Sequence, residues 1–84
     1  MKNCLFTVFD SAAEVYCAPF VAPSKGAALR QFIDFLGKDG HPFNQHPADY
    51  TLFYIGSFDD SSCEFETSGV LEKLGNGQEL AAKK

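Results

Sequence analysis

Four stretches of the chain carry the side-chain pattern of β-strands, and one carries the pattern of a helix. The strand-like stretches are residues 4–9, 14–21, 50–55 and 63–67. They are rich in aromatic and β-branched residues or alternate apolar with polar side chains, and short polar turns join them in pairs. The pattern predicts two β-hairpins, in which residues 50–55 form the central strand. Pro19 has no N–H for a ladder, which places its strand at a sheet edge or makes the strand bulge near its end.

The segment between the two hairpins has apolar residues at helical spacing. We expect a helix from Lys25 to Leu36, because Ser24 is a suitable N-cap and Gly37 supplies a stop that Pro42 enforces. Its apolar face consists of Ala28, Leu29, Phe32, Ile33 and Leu36. Phe35 lies off this stripe, so it either widens the buried face or is exposed.

The predicted fold is α+β, a four-stranded and mainly antiparallel ββαββ sheet with the helix packed on one face. Residues 1–68 form this single domain. Glycines recur in residues 69–84, which are therefore expected to form an irregular turn and a partly disordered C-terminal tail. A chain of 84 residues buries only a modest core, so we expect a further source of stability, such as oligomerisation.

Both faces of the predicted sheet are apolar, because the first and third strands carry apolar side chains at odd and even positions alike. One helix shields one face, and the other face is expected to contact a partner or, preferably, a second copy in a homodimer. If the helix takes the opposite face, the interface anchors are Phe6, Phe53 and Ile55. A strand phase shifted by one residue would replace them with Leu5, Leu52 and Tyr54.

No set of residues in the sequence indicates catalysis, a metal or another cofactor. His41, His46 and Asp49 could be ligands, but Pro42 and Pro47 stiffen the loop without aiming the rings together, and a structural zinc site needs four ligands. The cysteines are odd in number and form no CxxC pair, so we interpret Cys4, Cys17 and Cys63 as small apolar residues. Asp59 and Asp60 are interpreted as turn formers.

The net charge of −4 argues against a nucleic-acid surface. Residues 1–46 hold four basic and four acidic side chains, and residues 47–84 hold three and seven. The alternative is a single-stranded DNA binder that stacks bases on the sheet aromatics and uses Lys2, Lys25, Arg30 and Lys38. No apolar run is long enough to span a membrane and the N-terminus lacks the features of a signal peptide, so we expect a cytoplasmic protein without a membrane partner.

The chain resembles the small non-structural protein of gokushoviruses, which are tailless single-stranded DNA bacteriophages, in three segments: residues 10–16 with Pro19 and Phe20, residues 26–32 and residues 41–60. The resemblance is most specific in the last segment, HPFNQHPADYTLFYIGSFDD. Its motif residues are His41, Pro42, Phe43, His46, Pro47, Asp49, Tyr50, Phe53, Gly56, Phe58 and Asp59.

The resemblance implies a counterpart of the C protein of other microviruses, which acts in the host bacterial cytoplasm. Such a protein regulates the switch from duplex-genome replication to single-stranded synthesis coupled to packaging. The partner implied is the viral replication-initiation protein or the capsid precursor, with single-stranded DNA as the alternative. The resemblance supplies no catalytic residue and no cofactor.

Overall fold

The computed structural model describes residues 2–82 and consists of an antiparallel five-stranded sheet with helices against it. The strands are β1 (Lys2–Asp10), β2 (Val15–Tyr16), β3 (Phe20–Ala22), β4 (Tyr50–Asp59) and β5 (Glu64–Asn76). The helices are α1 (Lys25–Leu36), α2 (Pro42–Gln45) and α3 (Gly77–Ala82), and a 3₁₀ turn covers Pro47–Asp49. The predicted α+β class with an antiparallel sheet is confirmed.

The sheet has β1 and β4 at its centre, β5 beyond β4, and both β2 and β3 along the other side of β1. The sequence predicted one strand over residues 14–21, but the structure has two, β2 and β3, in this stretch. The prediction of four strands is therefore wrong. The N–H of Cys17 still donates to the carbonyl of Val8 at 2.8 Å, and then the chain leaves the ladder until Phe20. Pro19 lies in this gap, where a residue without an N–H costs no ladder hydrogen bond.

The region after Thr67 also differs from the prediction of an irregular turn. Strand β5 continues to Asn76, and α3 follows it directly. The strand makes an excursion at residues 68–71, where Gly69 has a φ of 78°, and it then pairs with β4 again through Glu72 and Tyr54. Hydrogen bonds from β4 therefore order a glycine-rich segment that has little strand propensity of its own. The remainder of the predicted disordered tail, residues 83–84, lies outside the described residues.

The core lies between α1 and one face of the sheet. Phe6 of β1, Phe32 of α1 and Leu52 of β4 have no more than 2% of their surface exposed, and each such burial contributes about 1.5–3 kcal/mol. The helix begins as predicted, since the Ser24 hydroxyl accepts a hydrogen bond from the N–H of Ala27 at 3.1 Å. Among residues 2–82, no helix combines the length and the apolar character that crossing a membrane requires.

Gly56 lies where the backbone of β5 passes closest to β4. A Cβ atom added there would overlap the carbonyl oxygen of Glu66 and would lie 2.9 Å from the Cα atom of Thr67. Both neighbours belong to the backbone and cannot rotate away. The two strands can therefore pair at this level only if the residue has no side chain.

We predict that Gly56→Ala lowers the free energy of unfolding by about 3 kcal/mol, because β4 and β5 must separate to admit the methyl group. The matched control is Gly26→Ala in α1, where the nearest atom to a new Cβ is the Ser24 Oγ at 3.8 Å. That variant should be more stable than the original chain by about 0.5–1 kcal/mol. Urea denaturation followed by circular dichroism measures both, and a Gly56→Ala protein of unchanged stability would contradict the prediction.

Candidate protein-contact surfaces

The connection from residue 41 to residue 50 holds α1, the β1–β2 turn and the end of β5 together. Its hydrogen bonds to other parts of the chain include those from Asn44 to the Leu36 carbonyl, from the Ser11 N–H to the Asp49 carbonyl and from Asn76 to the Ala48 carbonyl, at 2.8, 2.9 and 3.0 Å. These bonds satisfy backbone groups that a helix end and a loop would otherwise leave unpaired. The connection is thus fixed at both ends and in the middle.

His41 has a structural role in this connection. Its Nδ1 accepts a hydrogen bond from the N–H of Phe43 at 3.1 Å and so caps α2. An accepting nitrogen carries no proton, so the neutral ring holds its proton on Nε2. The ring also stacks on Phe35, with centroids 4.8 Å apart. The cap and the stack fix the orientation of the imidazole.

The residues that the sequence suggested as metal ligands have different positions and roles in the structure. His46 is exposed and lies between α2 and the 3₁₀ turn, where its carbonyl accepts the N–H of Asp49 at 3.0 Å. His41 uses one ring nitrogen for the cap. Within residues 2–82, no three His, Cys, Asp or Glu side chains are grouped as metal ligands.

An apolar groove lies between α1 and the segment that joins β2 to β3. It is a cavity of about 340 Å³ whose floor includes Val8 and Phe32, and Phe35, His41 and Phe43 contribute to its lining. Phe35 is 41% exposed, which answers the question that its position off the helical stripe left open. The groove is thus built partly from motif residues that lie on the fixed connection.

Cys17 lines the other side of this groove. Burial raises the pKa of its thiol, and the nearby Asp10 carboxylate raises it further. A neutral thiol is a weak nucleophile and behaves as a small apolar side chain. Its protonation state is therefore consistent with a groove that binds apolar groups.

The side of the sheet away from α1 forms a second apolar surface, which we call the open sheet face. Side chains of directly paired residues lie on the same face of an antiparallel sheet. Thr7 pairs with Phe53, and Ile55 lies at a β-bulge beside them, so Phe53 and Ile55 belong to the open sheet face. Phe6 does not, because it is completely buried under α1, and its proposed role as an interface anchor is corrected.

Sequence reasoning missed two further members of the open sheet face, Tyr16 and Leu71. Tyr16 pairs with Phe9, and their ring centroids lie 4.7 Å apart. Leu71 lies in the excursion of β5 and lines a recess of about 260 Å³ together with Ile55. The alternation of the second strand could have indicated Tyr16, but Leu71 depends on pairing that the sequence does not show.

Two of the four cations of the DNA-binding alternative form ion pairs with glutamates. Lys2 pairs with Glu66 at 3.2 Å, and Lys25 pairs with Glu72 at 3.0 Å and lies over the Tyr54 ring. Arg30 lies within α1, and Lys38 is two residues beyond its last residue, Leu36. Two of the four cations are thus already paired with carboxylates.

Comparison with known proteins gives one result. A family model described as Phage ORF5 protein matches residues 3–80. The chain belongs to the Phage ORF5 protein family. The match extends through β5 into α3, a region that the segments of resemblance to the gokushovirus protein do not cover. No curated protein and no solved structure matches the chain.

In this Phage ORF5 protein, the last motif residue closes the turn between β4 and β5. The Oδ1 atom of Asp59 accepts hydrogen bonds from the hydroxyl of Ser61 at 2.6 Å and from its N–H at 2.9 Å. These bonds lower the pKa of Asp59 to about 2 from an ordinary value of 3.8. The predicted role as a turn former is confirmed for Asp59.

A carboxylate whose pKa is lower in the folded state stabilises the fold at a pH above its unfolded value. For Asp59 this stabilisation is present above about pH 4 and is lost as the pH falls toward 2. We predict that Ser61→Ala flattens the decline of the melting temperature between those values, as measured by circular dichroism. Ser62→Ala, in the same turn, is the control and should retain the original profile. An unchanged profile in Ser61→Ala would contradict the assignment.

Proposed function

We propose that the chain is a non-enzymatic phage protein that regulates the switch from duplex-genome replication to single-stranded DNA synthesis and packaging. It does so through protein contacts in the host bacterial cytoplasm. The proposal combines membership of the Phage ORF5 family with the resemblance of residues 41–60 to the gokushovirus non-structural protein. The observation that carries it is the apolar groove that Phe35, His41 and Phe43 line.

The groove suits a segment of another protein. Its volume of about 340 Å³ lies near the lower end of the range for binding pockets and admits one or two large apolar side chains. The cap at His41 and the hydrogen bond from Asn44 to Leu36 hold the wall in place before binding, so little conformational entropy is lost on association. Exposed aromatic residues such as Phe35 are the usual anchors of such contacts.

The partner we favour is the viral replication-initiation protein or the capsid precursor. The net charge of −4 and the ion pairs at Lys2 and Lys25 reduce attraction to a phosphate backbone. A chain that neutralises DNA would present unpaired cations on one surface. An enzymatic role has less support, because Nδ1 of His41 is engaged by the Phe43 N–H.

The test is a phage that carries Phe35→Glu. A carboxylate at the rim opposes an apolar segment in the groove, while an exposed position tolerates the change without unfolding. We expect duplex replicative DNA to accumulate and single-stranded progeny genomes to fall at least tenfold, as measured by strand-specific hybridisation. The control is Val15→Glu, at a residue that is 54% exposed and does not line the groove, and it should give normal progeny. Normal single-strand yield in Phe35→Glu would refute the role of the groove.

Direct binding of single-stranded DNA is the alternative, and an electrophoretic mobility shift titration with the purified chain separates the two. Under our proposal, the chain does not bind a single-stranded oligonucleotide in the salt-sensitive manner of a DNA-binding protein. For a DNA-binding protein, the logarithm of the binding constant would fall linearly with the logarithm of the salt concentration. Each stacking aromatic residue replaced by alanine would cost about 1–3 kcal/mol of binding free energy. Tight, salt-sensitive binding that Phe53→Ala weakens would favour the alternative.

A further inference from the structure

The open sheet face is almost free of charge over its whole width. Its large apolar side chains are five aromatic ones and one aliphatic one: Phe9, Tyr16, Phe53, Phe58, Phe65 and Ile55. Among the described strand residues on this face, the one charged side chain is Lys73, which Glu79 pairs at 3.4 Å. The acidic side chains Glu66 and Glu72 point to the other face, toward Lys2 and Lys25. Charge depletion combined with aromatic enrichment is the composition of an interface core.

The size of this face determines what can cover it. The three long strands β1, β4 and β5, about 4.8 Å apart, and nine residues at about 3.3 Å give roughly 430 Å² in projection, and β2 adds Tyr16 at one edge. Within this area Leu5 and Thr7 are already buried, whereas Tyr16, Phe65 and Leu71 are exposed. The face therefore has about the size of the largest apolar patch on a typical monomer, which is often functional. A single side chain or a short peptide would leave most of the face in water. A second sheet of the same dimensions would cover it.

We propose that two copies of the chain pack open sheet face against open sheet face in a two-fold dimer. A two-fold axis brings the same patch of each copy together, so an uncharged patch meets an uncharged patch although each chain carries a net charge of −4. Two sheets that pack in this way lie about 10 Å apart and interdigitate their side chains. The arrangement extends the core of a domain close to the lower size limit for independent stability.

The recess beside Ile55 and Leu71 supplies the specific contact. It has a volume of about 260 Å³, and Thr7 and Tyr16 also line it. Phe53 lies next to it, with its ring centroid 6.3 Å from that of Tyr16. Near a two-fold axis, Phe53 of each copy enters the recess of the other, as an aromatic anchor enters a pocket.

The dimer goes beyond the proposed function and uses a different surface. The groove at Phe35 lies on the α1 side of the sheet, whereas Phe53 lies on the open sheet face. The groove and the recess share Cys17 in their linings, and none of Phe35, His41 and Phe43 lines the recess. The two proposals can be tested, and can fail, separately.

Sedimentation equilibrium of the purified full chain at about 10–100 μM tests the dimer. We expect a species of twice the chain mass of 9.2 kDa. Phe53→Glu should raise the dissociation constant at least 30-fold or so, the effect of losing a hot-spot residue. Phe35→Glu places the same charge on an exposed aromatic of the α1 side and should leave the dissociation constant unchanged.

Leu71→Glu provides a second test in case Phe53→Glu misfolds. Leu71 is 38% exposed, so its replacement leaves the core under α1 intact while placing a charge at the recess. Circular dichroism confirms the fold of each variant, and a folded monomer of Leu71→Glu supports the proposal even if Phe53→Glu aggregates. A chain that is monomeric at 100 μM, a Leu71→Glu protein that dimerises as the original does, or a monomer that uses this face for another phage protein would overturn it.

Discussion

The pairing of β1 with β4 is the constraint on which the rest of the structure depends. Along these strands Phe6 pairs with Tyr54 and Thr7 pairs with Phe53. Because side chains alternate across a sheet, this register sends Phe6 under α1 and Phe53 to the open sheet face. A slip of one residue would exchange the two faces and remove Phe6 from the core. The register shifts at Ile55, which forms a β-bulge opposite the Leu5–Phe6 step of β1. The bulge places an extra apolar side chain in the lining of the recess.

The motif at residues 41–60 is explained largely by structure. His41 caps α2, Gly56 allows β5 to approach β4, and Asp59 closes the following turn. Gly56 must lack a side chain, and the positions of His41 and Asp59 each need a hydrogen-bond acceptor for a nearby N–H group. A motif that is this specific can therefore mark a shared fold without marking a shared chemical reaction. The same constraints place Phe43 and His41, two members of the motif, in the groove lining.

Two apolar surfaces on opposite sides of the sheet underlie the two associations that we propose. The groove is concave and its wall is pinned by hydrogen bonds, which suits insertion of a few side chains from a partner. The open sheet face is broad and depleted in charge, which suits another surface of similar extent. Lys2 pairs with Glu66 and Lys25 pairs with Glu72 on the α1 side of the sheet, away from the broad face.

The sequence by itself determined the elements whose signals are local. The bounds of α1 follow from the cap at Ser24 and the apolar stripe, and the turn at Asp59 follows from side-chain bonding to nearby N–H groups. It also determined that both sheet faces are apolar. Only the tertiary structure decided which face the helix takes, because an apolar strand fits either phase and the choice between Phe6 and Phe53 depends on packing against α1.

The length of β5 and the function of His41 were likewise decided in three dimensions. Residues 72–76 have weak strand propensity, and their pairing with β4, far along the ladder from the hairpin turn, orders them. Phe35 and His41 are separated by Gly37 and Gly40 in the chain, and their stacking depends on the path of the connection between them. Local patterns specify helices, turns and strand candidates, whereas burial, register and long-range hydrogen bonds decide which surfaces remain for contacts.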